Sequence, residues 1–342
     1  MNAELTPLFD NVTVLLGDPN LPDTSKPQQR FTPEDLDNIE QLKTALSAVN
    51  GYVFSYFTDH IRLLTELLAT PPAFVLNCCD TGYRNQARLE LHIAAYLEML
   101  GIPYSGSGPV TLGACYDKAL VRALAAAAGI PVPNEAYVNN DGPTTLPAMS
   151  YPVFIKPNSA DGSVGISAQS LATNEFEAKR YLEQLRNKLG QIPLLMQEYL
   201  TGPEYSIALI GNPGQGFTAL PLLEVDYSEL DPTLPKILDY GSKTEPNSPY
   251  WTDVKYRPAK VDQTTLAQIK TYAETLFTRL GLRDYGRFDF RTDEQGIIKL
   301  LEVNPNPAWC WDGKLNLMAG FAGRSYSELL AMILNTAQAR YR

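Results

Sequence analysis

Two apolar runs carrying embedded charge, Gly286-Arg287-Phe288-Asp289-Phe290 and Leu300-Leu301-Glu302-Val303-Asn304-Pro305-Asn306, narrow what this chain can fold into more than any other segment. With a period of two, Phe288 and Phe290 face one side of a strand and Asp289 the other, and Glu302 lies in the same way between Leu301 and Val303. Asp293-Glu294-Gln295-Gly296 supplies a polar turn between the runs. The pair therefore reads as a hairpin whose acids converge on one face. Two carboxylates, an amide and an arginine on neighbouring strands suit a magnesium ion. That ion takes one or two protein carboxylates and completes its shell with water and phosphate oxygens, so a nucleotide is the natural partner. The competing reading is a solvated hairpin with acidic outer positions.

The chain has 342 residues, of which 44% are hydrophobic. That is enough to bury sizeable cores and suggests about two or three domains. A net charge of −10 argues against a nucleic-acid or anionic-membrane partner, whose phosphates favour a basic face. Met1-Asn2-Ala3-Glu4-Leu5-Thr6-Pro7 lacks the features of a secretion signal, and no apolar run approaches about 20 residues, so a cytoplasmic protein is expected. Four cysteines, with Cys78 and Cys79 adjacent, lack metal-ligand spacing and read as buried reduced thiols. His60 and His92 are too isolated for a triad or a zinc site, and His92 is expected to pack within its apolar helix. Phosphate and metal chemistry must then replace histidine acid–base work.

Val12–Gly17 reads as a buried first strand and Phe74–Asn77 as another. Thr32 caps a helix with Pro33 at its first position, running to about Val49, and a second helix spans Glu90 to Leu100 before Gly101. This gives an open α/β domain over residues 1–108. A central lobe, 109–195, starts with an alanine-rich helix from Ala119 to Ala128. It continues with strands at Tyr151–Lys156 and Gly165–Gln169 and a helix at Glu175–Leu189. A C-terminal lobe, 196–342, begins within the strand Leu194–Leu200. It carries strands at Tyr205–Ile210 and Thr218–Leu223, the acidic hairpin, and helices at Gln263–Leu280 and Tyr326–Ala337. The long irregular stretch from Asp231 to Arg257 is either a lid or a loop packed permanently on the body.

Lys156 ends a strand and leads into Pro157-Asn158-Ser159-Ala160-Asp161-Gly162-Ser163-Val164-Gly165, whose backbone amides can cradle phosphates. It is not a P-loop, because no Gly-Lys-Ser/Thr ending leads into a helix. Four features occur in the order of the ATP-grasp superfamily: Lys118, Lys156 with its loop, Gln197-Glu198-Tyr199-Leu200-Thr201-Gly202-Pro203-Glu204, and Asp289 with Glu302-Val303-Asn304. More narrowly the chain resembles the D-alanine–D-alanine ligase branch, through Gly101–Gly108, Asp117-Lys118, Gly286–Asp289 and Tyr326-Ser327-Glu328-Leu329.

The resemblance implies an ATP-grasp fold, an α/β domain followed by two α+β lobes clamping ATP. Lys118, Lys156, Gly162 and Ser163 would meet phosphates, and Gln197, Glu198, Tyr199 and Leu200 would line the adenine. Glu204 would hold the ribose, unless it is a strand-edge surface acid. Asp289, Glu302 and Asn304 would hold magnesium, and Arg287 would steady the transferring phosphoryl group, with Lys243 and Ser163 beside it. Homodimerisation is common among such proteins.

The chain departs from the dipeptide ligases where they read D-alanine. Gly17-Asp18-Pro19-Asn20 lacks their acidic loop, Gly162 stands where a serine is expected with Ser163 one place later, and Thr244 follows Lys243 in place of tyrosine. Ala308-Trp309-Cys310-Trp311-Asp312-Gly313-Lys314 replaces a small, serine-bearing stretch. The ATP machinery is matched and the D-alanine machinery is not. The expected activity is therefore an ADP-forming ligase joining a free amino acid to another acceptor, and the chain is similar to the ligases that act on mycosporine-glycine. Arg84, Tyr240, Trp309, Trp311 and Lys314 are candidates for touching such a substrate, the tryptophans having domain-interface packing as their alternative. A D-alanine–D-alanine ligase and a nucleotide-binding protein without turnover remain open.

Overall fold

The computed structural model describes residues 7–139, 146–160, 162–190 and 192–342. The segment Met1–Thr6 and Asp161 of the small-residue loop lie outside them. The chain opens with β1 (Asn11–Leu15), α1 (Pro33–Ser47), β2 (Val53–Phe57), α2 (Leu63–Ala69), β3 (Val75–Asn77) and α3 (Glu90–Met99). The three strands form a parallel sheet in the order β2-β1-β3. Thr32 caps α1 as expected, with Asp35 N donating to Thr32 Oγ1 (3.2 Å) and Thr32 N to Asp35 Oδ2 (2.7 Å). The helix lays Ile39, Leu42 and Leu46 on Val12 and Val14.

Two helices, α4 (Pro109–Tyr116) and α5 (Lys118–Ala127), lead to β4 (Glu135–Val138), β5 (Val153–Pro157), β6 (Leu171–Ala172), α6 (Glu175–Leu189) and β7 (Leu194–Glu198). These strands make an antiparallel sheet in the order β4-β7-β5-β6, with Tyr181, Leu182 and Leu185 of α6 packed on Val153, Ile155 and Met196. The expected strand Gly165–Gln169 is absent, because Gly165 takes φ +74° and Ser167 caps a short 3-10 turn there. Because β7 pairs within this sheet from end to end, the expected boundary at 195 falls inside a strand and moves past Glu198.

The rest of the chain comprises β8 (Glu204–Asn212), β9 (Gly216–Ala219), β10 (Leu223–Asp226), α7 (Gly241–Thr244), α8 (Pro249–Thr252), β11 (Lys255–Pro258), α9 (Gln263–Leu280), β12 (Tyr285–Thr292), β13 (Ile298–Asn304), α10 (Lys314–Phe321) and α11 (Tyr326–Ala339). The third sheet runs β11-β10-β8-β12-β13, with β9 also on β8. The expected single strand 218–223 is two. Pro221 cannot donate to the ladder, and the register slips so that Ala219 faces Leu209 while Leu223 faces Ser206. Helix α11 packs between the first and third sheets: Leu330, Leu334 and Ala337 join the core of the first, and Leu329 and Ile333 that of the third. Gln338 Oε1 accepts from Leu8 N and Phe9 N (2.8 and 3.0 Å).

Other expectations change at the surface. His92 is exposed, not packed. Cys78, Cys79 and Cys115 are buried free thiols, whereas Cys310 is half-buried. Among the described residues no helix is long and apolar enough to cross a membrane.

Candidate functional site

A cleft of about 1750 Å³ is lined by residues of the second and third sheets together with loops and α1 of the first domain. Its floor is the acidic hairpin. Asp289 and Glu302 stand directly opposite each other on β12 and β13, but not by the simple alternation expected from the sequence. The register pairs Asp289 with Glu302 and Phe290 with Leu300, which leaves Leu301 as an extra residue in a β-bulge. Without the bulge Leu300 and Glu302 would share a face. With it, Leu300 and Val303 enter the core beside Phe288 and Phe290, while Leu301 and Glu302 turn to the cleft. Arg122 of α5 holds the irregular turn by donating to Leu301 O (2.7 Å).

Arg287 is two residues from Asp289 on the same strand, so both share a face. Its Nε and Nη2 fork onto the carboxylate at 3.0 Å each. Ser206 of β8 lies opposite Asp289 and donates to Oδ1 (2.6 Å), and Asn304 Nδ2 donates to Oδ2 (3.2 Å). Lys314, the first residue of α10, donates to Ser206 Oγ (3.1 Å). Burial pushes the Asp289 carboxyl upward, but Arg287 and Lys314 outweigh it and hold the group well below the usual range. Glu302 is likewise buried yet kept low, chiefly by Lys118 at 3.7 Å.

Both acids are therefore ionised, and with the Asn304 carbonyl they form a set of hard oxygen donors that fits magnesium. Among the described residues no group of three or more His, Cys, Asp or Glu side chains is placed to hold a metal. The fit is thus to an ion shared with a phosphate-bearing ligand. The surrounding charge agrees. Lys118, Lys156, Lys243, Arg287 and Lys314 surround only two carboxylates. Lys156, 6% exposed, has no ion pair or hydrogen bond from its ammonium among the described residues. Burial, with Arg122 nearby, lowers its pKa to about 7. Lys243 on α7 reaches the cleft's solvent but is ringed by protein, and burial lowers it to about 8. Such a cavity is short of negative charge.

The small-residue loop after β5 turns through left-handed backbone at Gly162, Ser163 and Gly165 (φ +63°, +60° and +74°). Lys118 Nζ donates to Ala160 O (2.6 Å) beneath it. The Ser163 hydroxyl is spent on Leu238 O (3.1 Å), which ties the loop to the 231–257 segment instead of facing a reacting group. At the far wall, Gln197 Nε2 donates to Glu135 Oε2 (2.9 Å), and Glu198 pairs with Lys299. The amides of Glu198 and Tyr199 are already given to Asn134 O and Pro152 O (2.8 and 3.4 Å). Leu200 N is left as the segment's unclaimed donor among the described residues. Glu204 is no surface acid: it is 6% exposed, accepts from Tyr227 OH (2.9 Å) and lies 3.6 Å from Arg291 Nη1.

The other end of the cleft is built from the first domain. Tyr240 donates to Ser25 O (2.9 Å), which fastens the 231–257 segment to that domain rather than leaving the hydroxyl for a substrate. Trp309 is half-buried against the core of the first sheet and donates to Cys78 O (2.6 Å), so it packs at the interface while lining the cleft. Trp311, 45% exposed, and Arg84 also line it. Sequence reading missed Ser206, an ordinary strand residue with no local signal, and Asp80. The latter had one: an acid before a glycine turn at the carboxyl end of a parallel strand, where α/β sheets place ligands.

A family model described as the D-ala D-ala ligase C-terminus matches residues 124–335. An uncharacterised protein, y4sG of Sinorhizobium fredii, is 30% identical over 80% of this chain and 77% of its own length. A D-alanine–D-alanine ligase of Bordetella avium is 28% identical over 73% of this chain and 74% of its own. A D-alanine–D-alanine ligase of Bacillus anthracis, solved in complex with ATP, superposes with a TM-score of 0.71 at 19% identity, covering 97% of this chain and 99% of that one.

Proposed function

We propose that this chain, which belongs to the D-alanine–D-alanine ligase family, joins a free amino acid to an acceptor other than D-alanine, namely the carboxylate-like oxygen centre of mycosporine-glycine. The coarser activity stands on the family: it is an ATP-dependent ligase that forms a C–N bond and uses ATP and Mg2+. The observation that carries the finer reading is the wall at Trp309–Lys314. Two indoles there, one of them exposed to the cleft, offer a flat aromatic surface that suits a conjugated ring better than a methyl-bearing amino acid. The Ser163 hydroxyl, already given to Leu238 O, is unavailable to orient a small amino acid.

The reaction breaks the β–γ phosphate bond of ATP and makes a P–O bond to the acceptor oxygen, releasing ADP. The amine then forms the C–N bond and phosphate leaves. Asp289, Glu302 and Asn304 would hold the magnesium, which neutralises phosphate charge when bound. Lys118, Lys156 and Lys243 offer compact positive charge to the phosphates, and the backbone of the 157–165 loop offers amides. Arg287 is aligned by Asp289 and presents donors where charge develops on the transferring group. The 231–257 segment, tied down at Leu238 and Tyr240, shields the activated intermediate from water.

The test is product analysis with purified protein, Mg-ATP, a panel of amino acids, and either mycosporine-glycine or D-alanine. ADP and phosphate released only with both amine and mycosporine-glycine support the reading. The second reading, D-alanine–D-alanine ligation, is favoured by the relatives that carry that name at 28% identity. Dipeptide formed from D-alanine alone would establish it instead. AMP and pyrophosphate as products would remove both.

A further inference from the structure

The loop that leaves β3 is held in a conformation its residues do not favour. Gly82 takes φ +77°, and a Cβ there would lie 2.2 Å from Gln86 O. Arg84 and Asn85 follow in the left-handed region at φ +55° each, uncommon for residues with side chains. Buried polar groups enforce this from behind. Asn85 accepts from Asp18 N (3.0 Å) and donates to Asp18 O (2.7 Å) and Leu21 O (3.1 Å). His60, fully buried, accepts from Arg84 N at Nδ1 (2.8 Å) while its Nε2 reaches Leu16 O (2.8 Å). Strain that its surroundings over-determine in this way gathers at ligand clamps.

The loop presents two opposite charges to the cleft, Asp80 and Arg84. Neither makes an ion pair among the described residues. The cation beside Asp80 is Lys26, whose ammonium is given to Asp35 (2.5 Å); the carboxylate accepts from the Trp309 side chain, which also donates to Cys78 O, and from its own backbone. Asp23, whose charge acts on both Lys26 and Asp80, keeps a buried Oδ2 with no hydrogen-bond partner. Burial pushes the Asp80 carboxyl up to about 6, outweighing the opposing pull of Lys26. Arg84 makes no ion pair among the described residues. One fixed turn therefore offers the cleft a carboxylate and a guanidinium, neither of them ion-paired among the described residues.

We propose that the Asp80–Gln86 loop reads the amino-acid substrate of the ligation, Asp80 pairing with its ammonium and Arg84 with its carboxylate. This rests on the ligase reading and names the half of the site that reading leaves unassigned. A carboxylate matches the guanidinium fork, and an ammonium completes the acid.

The test is calorimetric titration of the full chain, loaded with Mg2+ and a non-hydrolysable ATP analogue, with glycine, L-alanine, D-alanine and their amides. Asp80→Asn is expected to weaken the amino acid that binds best, and its amide, by about tenfold or more. Arg84→Met is expected to weaken the amino acid similarly and to leave the amide unchanged. Both variants should keep wild-type affinity for the nucleotide analogue, which separates recognition from misfolding. Unchanged amino-acid affinity in Asp80→Asn, equal losses for acid and amide in Arg84→Met, or no binding of any probe to wild type would overturn the proposal. Turnover assays report on the ligase reading separately, since binding here requires no reaction.

Discussion

The two ends of the cleft are charged in opposite senses and built by opposite means. At the hairpin end, proposed above to hold the nucleotide, cations from α5, β5, α7, β12 and α10 outnumber the acids of the hairpin, and regular strands carry the key groups. At the first-domain end, Asp23, Asp35 and Asp80 surround Lys26, and a strained loop carries the groups. The nucleotide end suits a ligand whose charge is large and always the same. The other suits a ligand whose shape and charge pattern must be distinguished, where a loop held by side chains can change without disturbing a sheet.

The sharpest way to break this contrast is Glu302→Gln. Magnesium-dependent ADP release should fall by about 1000-fold with circular dichroism unchanged, because one of two ionised donors is lost. Activity within a few-fold of wild type would remove the hairpin as the metal floor. Lys156→Met should lower nucleotide affinity by about 10- to 100-fold in titration, the scale of a lost charge-assisted contact. The same change should raise the melting temperature of the ligand-free chain at neutral pH by about 3 °C, since a buried unpaired ammonium is removed.

A pH series sharpens the point further. Lys156 sits near 7 and Lys243 near 8 in the free protein, and phosphates favour their charged forms. Nucleotide binding should then take up protons and weaken as pH rises from about 7 to 9, read as a buffer-dependent enthalpy. Over the same range the ligand-free fold should gain stability, because the unfolded chain still holds the lysine protons that the folded chain has lost. The smallest effect is expected at the far end. Trp311→Ala should raise the KM of the acceptor by about two- to fivefold and leave that of ATP unmoved, since this half-exposed ring would offer the substrate only a stacking face.

Much of the fold was legible in the sequence where groups follow local rules. The Thr32 cap, helices Glu175–Leu189 and Gln263–Leu280, and the acidic hairpin with its polar turn all stand where residue pattern places them. The family resemblance supplied the order of the lysines, which spacing alone would not have joined. What escaped was set by tertiary pairing. The bulge at Leu301 depends on how β13 fits β12, and the same apolar run reads equally well without it. Ser206 matters only because β8 lies beside β12. Asp80 and the left-handed turn at Arg84 depend on Asn85 and His60 meeting across the first domain, which no local window contains.

Helix α11 completes the core of the first sheet, and Gln338 clasps the backbone at Leu8 and Phe9. During synthesis, Val12 and Val14 are made first yet wait for Leu330 and Leu334 to leave the ribosome before that face is sealed. The N-terminal unit therefore matures last. A nascent chain stalled short of this helix would present that uncovered face to chaperones.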